Sequence, residues 1–274
     1  MTNTKFETFR ALHERPGAFV MPNAWDAGTA RILTAMGFAA LGTTSAGLAF
    51  SLGKRDSQAA LTRDEVLANA KAIVENTHLP VSGDLEEGFG REPEACAATI
   101  RLAAEIGLAG GAIEDATGDA TNPIFDFSHA VERVAAAAEA ARASLLLLTA
   151  RADNFLYGRP DLDDTIHRLR AFEAAGADVL YAPGLRDLEA IRVVCAAVTK
   201  PVNVVMGLSG PAFAVAQLQA AGVKRISVGG SFARAALGAF KRAAQEVMDQ
   251  GTFTYATEAL PDAQAAGFMA AVKR

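Results

Sequence analysis

The chain has 274 residues, of which 51% are hydrophobic, 21% charged and 7% aromatic, and it carries a formal net charge of −5. That composition supports one large globular domain over 1–274, with no Pro-, Gly- or Ser-rich linker to divide it. Dispersed basic residues and few aromatics argue against a nucleic-acid face. No apolar run approaches the roughly 20 residues that span a bilayer, and Met1 to Glu7 lacks the apolar core of a leader, so a cytoplasmic protein with no membrane partner is expected.

Taken in chain order, short apolar runs bounded by turn residues alternate with Ala-rich amphipathic segments. The strands predicted are Ala18–Met21, Ala39–Gly42, Pro80–Gly83, Gly111–Ile113, Leu145–Ala150, Asp178–Ala182, Val202–Val205 and Arg225–Val228. The helices predicted are Asp26–Met36, Arg63–Asn76, Glu92–Ile106, Ser128–Ala141, Leu162–Ala175, Asp187–Val198, Gly210–Ala220 and Phe232–Asp249. Gly37, Gly107, Gly176 and Gly222 follow helices where a left-handed residue closes the last turn. A βα unit repeated eight times predicts a parallel (β/α)8 TIM barrel. A doubly wound sheet would show Gly-x-Gly-x-x-Gly after its first strand, where this chain has Met21-Pro22-Asn23-Ala24-Trp25-Asp26. Cys96 and Cys195 fall in separate helices and read as buried small apolar residues.

A barrel of this kind puts its chemistry at the C-terminal strand ends. There the chain offers Asn23 and Asp26; Thr43, Thr44 and Ser45; Asp84 and Glu86; Glu114 and Asp115; Arg151 and Asp153; Tyr181; Asn203; and Gly229 with Ser231. Acids ending two consecutive strands suit a hard cation such as Mg²⁺, though each acid alone also fits a loop or a helix N-cap. None of the four histidines is at a strand end, which disfavours a His-bound zinc or a Ser-His-Asp relay. Lysines are absent there too, and only Lys54, in the connection after the second strand, could reach the mouth, which disfavours a Schiff base. Arg151 could hold a carboxylate or phosphonate through both edges of its fork, or pair structurally with Asp153 or Glu114. Thr43 to Gly47 could cradle a carboxylate or form an ordinary turn. Gly229-Gly230-Ser231 could bind phosphate or let the last helix pack closely.

With these residues assembled, the chain resembles the isocitrate lyase/phosphoenolpyruvate mutase superfamily over nearly its whole length. The stretches that carry the resemblance are Met21 to Asp26, Thr43 to Gly47, Gly83 to Gly90, Ala112 to Asp115, Thr149 to Asp153 and Ala175 to Asp178. It implies a (β/α)8 barrel, a Mg²⁺ cofactor and an enolate-like intermediate, formed when a C–C or P–C bond of a small 2-oxo or 2-hydroxy acid is broken. It also implies a homotetramer that exchanges its last helix.

By the same resemblance, Asp84, Glu86 and Glu114 are the metal acids, and Asp56 reaches the metal's water shell. Ser45, Ala46 and Gly47, with Thr43 beside them, are the carboxylate cradle, Arg151 is the substrate-binding arginine, and Asn203 is a polar substrate contact. Two features depart from the pattern. Glu86 stands where Asp is usual, and the stretch Ala116 to Phe127 lacks the Lys-Lys-Cys-Gly-His-like loop whose thiol serves the lyases as an acid. A lyase-type reaction without a catalytic cysteine is therefore expected. The alternatives are mutase or phosphonopyruvate hydrolase chemistry at a P–C bond, and a catalytically silent barrel that binds small acids.

Overall fold

The structure is a computed structural model that describes residues 4–56 and 60–270. Its strands are β1 (Phe19–Met21), β2 (Leu41–Gly42), β3 (Val81–Asp84), β4 (Gly110–Glu114), β5 (Leu147–Arg151), β6 (Val179–Tyr181), β7 (Val202–Val205) and β8 (Arg225–Ser227). All pair in parallel, in the order β1-β8-β7-β6-β5-β4-β3-β2. An Asn23–Gly42 bridge brings the two ends of the sheet together, and the fold is a (β/α)8 TIM barrel. Gly42 makes that seam possible, because a Cβ there would lie 2.7 Å from Asn23 Nδ2.

The helices are α1 (Thr4–Glu14), α2 (Ala27–Ala35), α3 (Ser45–Ser51), α4 (Arg63–Glu75), α5 (Pro93–Glu105), α6 (Phe127–Ala143), α7 (Leu162–Ala174), α8 (Leu188–Ala197), α9 (Val215–Ala220), α10 (Ser231–Gln250) and α11 (Asp262–Met269). All eight predicted strands are present. Sequence reasoning missed α1, α3 and α11, and α9 is shorter than predicted. The strand predicted to start at Leu145 begins two residues later, since Leu145 adopts a left-handed φ of 53° as the chain leaves α6. Leucine rarely takes that conformation, so its apolar character concealed a turn.

Strand alternation sorts side chains into an outer core and a barrel interior. Leu148, Ala150, Leu180, Val202, Val204 and Ile226 belong to the outer core, against the helices. The barrel floor is a second cluster of Phe19, Met21, Ala40, Ala109 and Leu147, closed from below by Phe9 and Leu12 of α1. Above that floor the interior is polar, with Ser82, Thr149, Asn203, Arg225 and Ser227 all buried.

His13 of α1 reaches this polar layer from below. Its Nδ1 lies 2.8 Å from the Phe9 carbonyl, an acceptor, so Nδ1 carries the proton and Nε2 faces Arg225 Nη1 at 3.4 Å. Burial, then the Arg225 charge, pushes the imidazole down from 6.5 to about 3. Between those values the unfolded chain binds a proton that the folded chain refuses. The contribution is therefore complete above pH 6.5 and is lost as pH falls towards 3, by at most about 1.4 kcal/mol per unit. The urea midpoint should drop between pH 7 and pH 4 less steeply in His13→Gln than in the parent, and equal slopes would refute this role.

Candidate active site

At the C-terminal strand ends lies a cavity of about 380 Å³ whose walls include Thr44, Ser45, Ala46, Asp56, Asp84, Glu86, Glu87, Glu114, Arg151 and Tyr181. Arg151, at the end of β5, is its electrostatic centre. Nε and Nη2 engage Asp153 Oδ1 and Oδ2 at 3.1 and 2.8 Å, while Nη1 lies 2.6 Å from Glu114 Oε1 and 3.4 Å from Asp84 Oδ1. Asp153 is fully buried and is itself fixed by its backbone N–H, which donates to Asp115 Oδ1. Its carboxylate thus aims one edge of the fork and leaves Nη1 towards the mouth acids. The structural pairing foreseen for Arg151 is present, and it orients the side chain at the cavity wall.

Asp84 ends β3 with its second oxygen, Oδ2, accepting from the Ser45 N–H at 3.0 Å, while its own N–H donates to Thr43 Oγ1 at 2.8 Å. Thr43 therefore positions Asp84 from beside the cavity, and the Ser45 amide serves the aspartate. Glu86 sits in the turn after β3 with a left-handed φ of 48°. That turn is held by Arg133 of α6, whose guanidinium donates to the carbonyls of Glu87, Gly90 and Arg91. The Glu86 carbonyl also accepts from the Glu114 N–H at 2.9 Å, which couples the two acid-bearing strand ends.

Of the other candidates, Gly229 and Gly230 line the cavity, while Asp26, Gly47, Asp115 and Asn203 do not. Asp26 caps α2, and Asp115 is buried with Oδ2 accepting from Arg168 Nη1 at 3.1 Å, so both are structural. Gly47 is buried in α3, where a Cβ would come within 2.7 Å of Trp25 Cβ and 2.8 Å of Thr44 Cγ2, so its job is close packing. Asn203 lies below the mouth, donating to Ser227 Oγ and accepting from Arg225 Nε. Gly230 sits on the wall and admits the start of α10 against α3, since a Cβ there would approach Ala46 Cβ to 3.0 Å. Sequence reasoning left out Glu87, Tyr157 and Arg234, which line the same cavity. Each comes from a loop or a first helical turn, where sequence spacing gives no direction.

Five acids thus face Arg151 and Arg234 across one cavity. Burial, then repulsion from Asp84, Glu87 and Asp56, pushes the Glu86 carboxyl up to about 8. Burial, and then Asp84, also raises Asp56, and Glu114 is held well above the usual carboxylate range by burial, with Asp153 and Asp84 adding to it against Arg151. Among the described residues no three His, Cys, Asp or Glu side chains converge closely enough to hold a metal ion together. An all-oxygen donor set of this kind, rich in charge but dispersed, fits a cation that keeps much of its water, as Mg²⁺ does.

A parallel barrel with an acid-lined mouth and an arginine fixed among the acids is the layout of an enzyme acting on small acids, and the comparisons assign the chain to the isocitrate lyase/phosphoenolpyruvate mutase superfamily. The family model described as phosphoenolpyruvate phosphomutase matches residues 9–248, and the chain belongs to that family. A crystal structure from Burkholderia cenocepacia, of a protein provisionally assigned as a lyase or mutase, superposes with a TM-score of 0.95 at 56% identity, covering 98% of this chain and 96% of that one. The chain is also 28% identical to the 2-methylisocitrate lyase of Halalkalibacterium halodurans, over 90% of this chain and 83% of the relative. Against the oxaloacetate decarboxylase of Bradyrhizobium diazoefficiens it is 28% identical, over 72% of this chain and 69% of the relative.

Proposed function

We propose that this protein is a Mg²⁺-dependent enzyme that breaks a C–C bond of a small 2-oxo or 2-hydroxy acid through an enolate, with no thiol in the chemistry. The observation that carries this reading is Arg151, fixed by Asp153 beside the dispersed acids of the mouth. Asp84 is the carboxylate we assign to the metal, with Glu86, Glu114 and Asp56 acting on its water shell. Bound there, Mg²⁺ would supply Lewis-acid polarisation of the substrate's oxygens.

The chain's own groups do the remaining work. Ser45 and Ala46, in the first turn of α3, form the wall against which a substrate carboxylate would rest. Arg151, already fixed at the cavity wall with Nη1 between Glu114 and Asp84, would supply the positive charge against which negative charge develops. Leu156, Pro183, Val205 and Leu208 add apolar surface to the cavity wall. After β4, the connection closes on itself through the Thr117 N–H bond to the Pro123 carbonyl and the Ala116–Ile124 bridge, and it presents Ala116 and Gly118 to the cavity.

Neither cysteine reaches the cavity. Cys96 is buried in α5 and Cys195 half-buried in α8, and burial pushes both thiols up to about 11, which makes them poor thiolates. The purified protein should therefore turn over oxaloacetate or a substituted malate with added Mg²⁺, and Cys96→Ser, Cys195→Ser should change kcat by no more than a factor of a few. Loss of activity by orders of magnitude in a folded double variant would restore a thiol-dependent mechanism. Phosphonopyruvate is the substrate for the second reading, P–C bond chemistry, which the family's description favours.

The same reading includes a homo-oligomer, proposed as a tetramer. Helix α10 buries Ala233 and leaves Leu237, Phe240 and Met248 exposed, followed by exposed Phe253 and Tyr255. So much apolar surface along one helix fits a face covered by a second copy of the chain.

A further inference from the structure

Beneath the mouth the barrel interior holds a second, smaller chamber of about 70 Å³, lined by Asn23, Thr43, Ser82, Asn203, Arg225 and Ser227 among others. Four residues border both spaces: Asp84, Arg151, Tyr181 and Gly229. Three of them cannot hand over a proton. Asp84 accepts hydrogen bonds at both oxygens, and the Gly229 N–H is spent on Asn23 Oδ1 at 2.9 Å. The Arg151 guanidinium is held charged by Asp153 and Glu114. Tyr181 remains. It ends β6 with its ring inside the barrel, because its neighbour Leu180 packs outward, and its hydroxyl has no hydrogen bond to another group among the described residues.

From this geometry we infer that the Tyr181 hydroxyl is the acid that protonates the enolate carbon, in place of the thiol this chain lacks. The inference rests on the enolate reading above. In a decarboxylation the bond from C3 to the departing carboxylate breaks, its electron pair enters the enolate, and CO2 leaves. C3 then takes the Tyr181 proton to form the new C–H bond. The phenolate left behind regains a proton from water on the chamber side.

The surroundings favour this cycle. Burial keeps the hydroxyl protonated at neutral pH, so it waits as a donor. Once formed, a phenolate would face two cations. The Arg151 guanidinium carbon is 5.1 Å from the Tyr181 ring centroid, and Arg225 lies within electrostatic reach at the far end of the chamber. Arg225 has no carboxylate within 4.0 Å among the described residues, only neutral partners, with Nε to Asn203 Oδ1 at 2.8 Å and Nη2 to Thr149 Oγ1 at 2.9 Å. A buried cation without an acid costs stability, which a role in holding transient negative charge accounts for. Among the described residues no Cys, His or Lys lines the mouth, and the acids Glu86 and Glu114, which do line it, do not border the chamber from which the proton is replaced.

The test is the decarboxylation of 3-methyl-oxaloacetate in D2O, in which C3 of the product becomes a stereocentre. Wild-type protein should deliver deuterium to one face. Tyr181→Phe removes a hydroxyl that bonds no protein group, so the variant should fold, lose about 10²-fold or more in kcat and give racemic product. Full rate with retained stereospecificity in Tyr181→Phe would overturn the inference while leaving the enolate reading intact. Should the wild type cleave neither this substrate nor oxaloacetate, the enolate reading itself fails. Replacing Tyr181 by 3,5-difluorotyrosine keeps the shape and the proton donor, so this variant should still deliver deuterium to one face. Racemic product from it would also overturn the proposal.

Discussion

Replacing Asp84 by alanine should abolish saturable Mg²⁺ binding to chelator-treated protein, measured by titration calorimetry, and should lower kcat/KM by more than about 10²-fold. Loss of an outer-shell partner alone costs roughly 10 to 100-fold, and a carboxylate assigned to the ion itself should cost more. The fold should survive, because Arg151 keeps Asp153 and Glu114 as partners. The Ser45 N–H would lose its acceptor, so Asp84→Asn is the companion variant: it retains an oxygen for Ser45 and removes only the charge. Both variants should melt near the parent temperature and fail to bind the cation. Undiminished Mg²⁺ affinity in Asp84→Asn and Asp84→Ala would remove Asp84 from the metal site.

Arg151→Lys is the second large effect. Arg151 bonds Asp153 through Nε and Nη2 and reaches Glu114 through Nη1, a fan of donors that a single ammonium cannot reproduce. Lysine still places a positive charge among three acids, which limits the loss of stability. Replacement by an apolar residue would leave Asp153 buried and unpaired, at a cost of about 3 to 5 kcal/mol. We expect kcat/KM in Arg151→Lys to fall by about 10²-fold, comparable with the loss of one preorganised donor at a developing oxyanion. The melting temperature should move far less than that figure would imply. Unchanged kcat/KM would assign Arg151 to the framework alone.

Much of this molecule was legible in one dimension. Short apolar runs bounded by turn residues and helix-ending glycines such as Gly37 and Gly222 specify eight βα units, because run length and helix periodicity are local properties of the backbone. Strand ends then place Asp84, Glu114 and Arg151 at one mouth, since parallel strands in a barrel point the same way. Direction was not legible. Glu114 and Asp115 are adjacent in sequence, yet one faces the cavity and the other pairs with Arg168 outside it, because successive side chains on an extended chain point to opposite faces.

Asn203 and Gly47 looked like members of the mouth, and only packing shows one tied to Arg225 inside the barrel and the other pressed against Trp25. The same holds for Tyr181. Its place at a strand end was visible in the sequence, but that it borders two cavities depends on which residues from β3, β5 and β8 meet it across the barrel. Sequence alone determined the repeat and the barrel and put Asp84 and Glu114 at strand ends, while it passed over Glu87 on the same cavity. The tertiary structure decided which groups share a cavity, because residues as far apart as Asp84 and Arg234 become neighbours only when the sheet closes and brings every strand end to one rim.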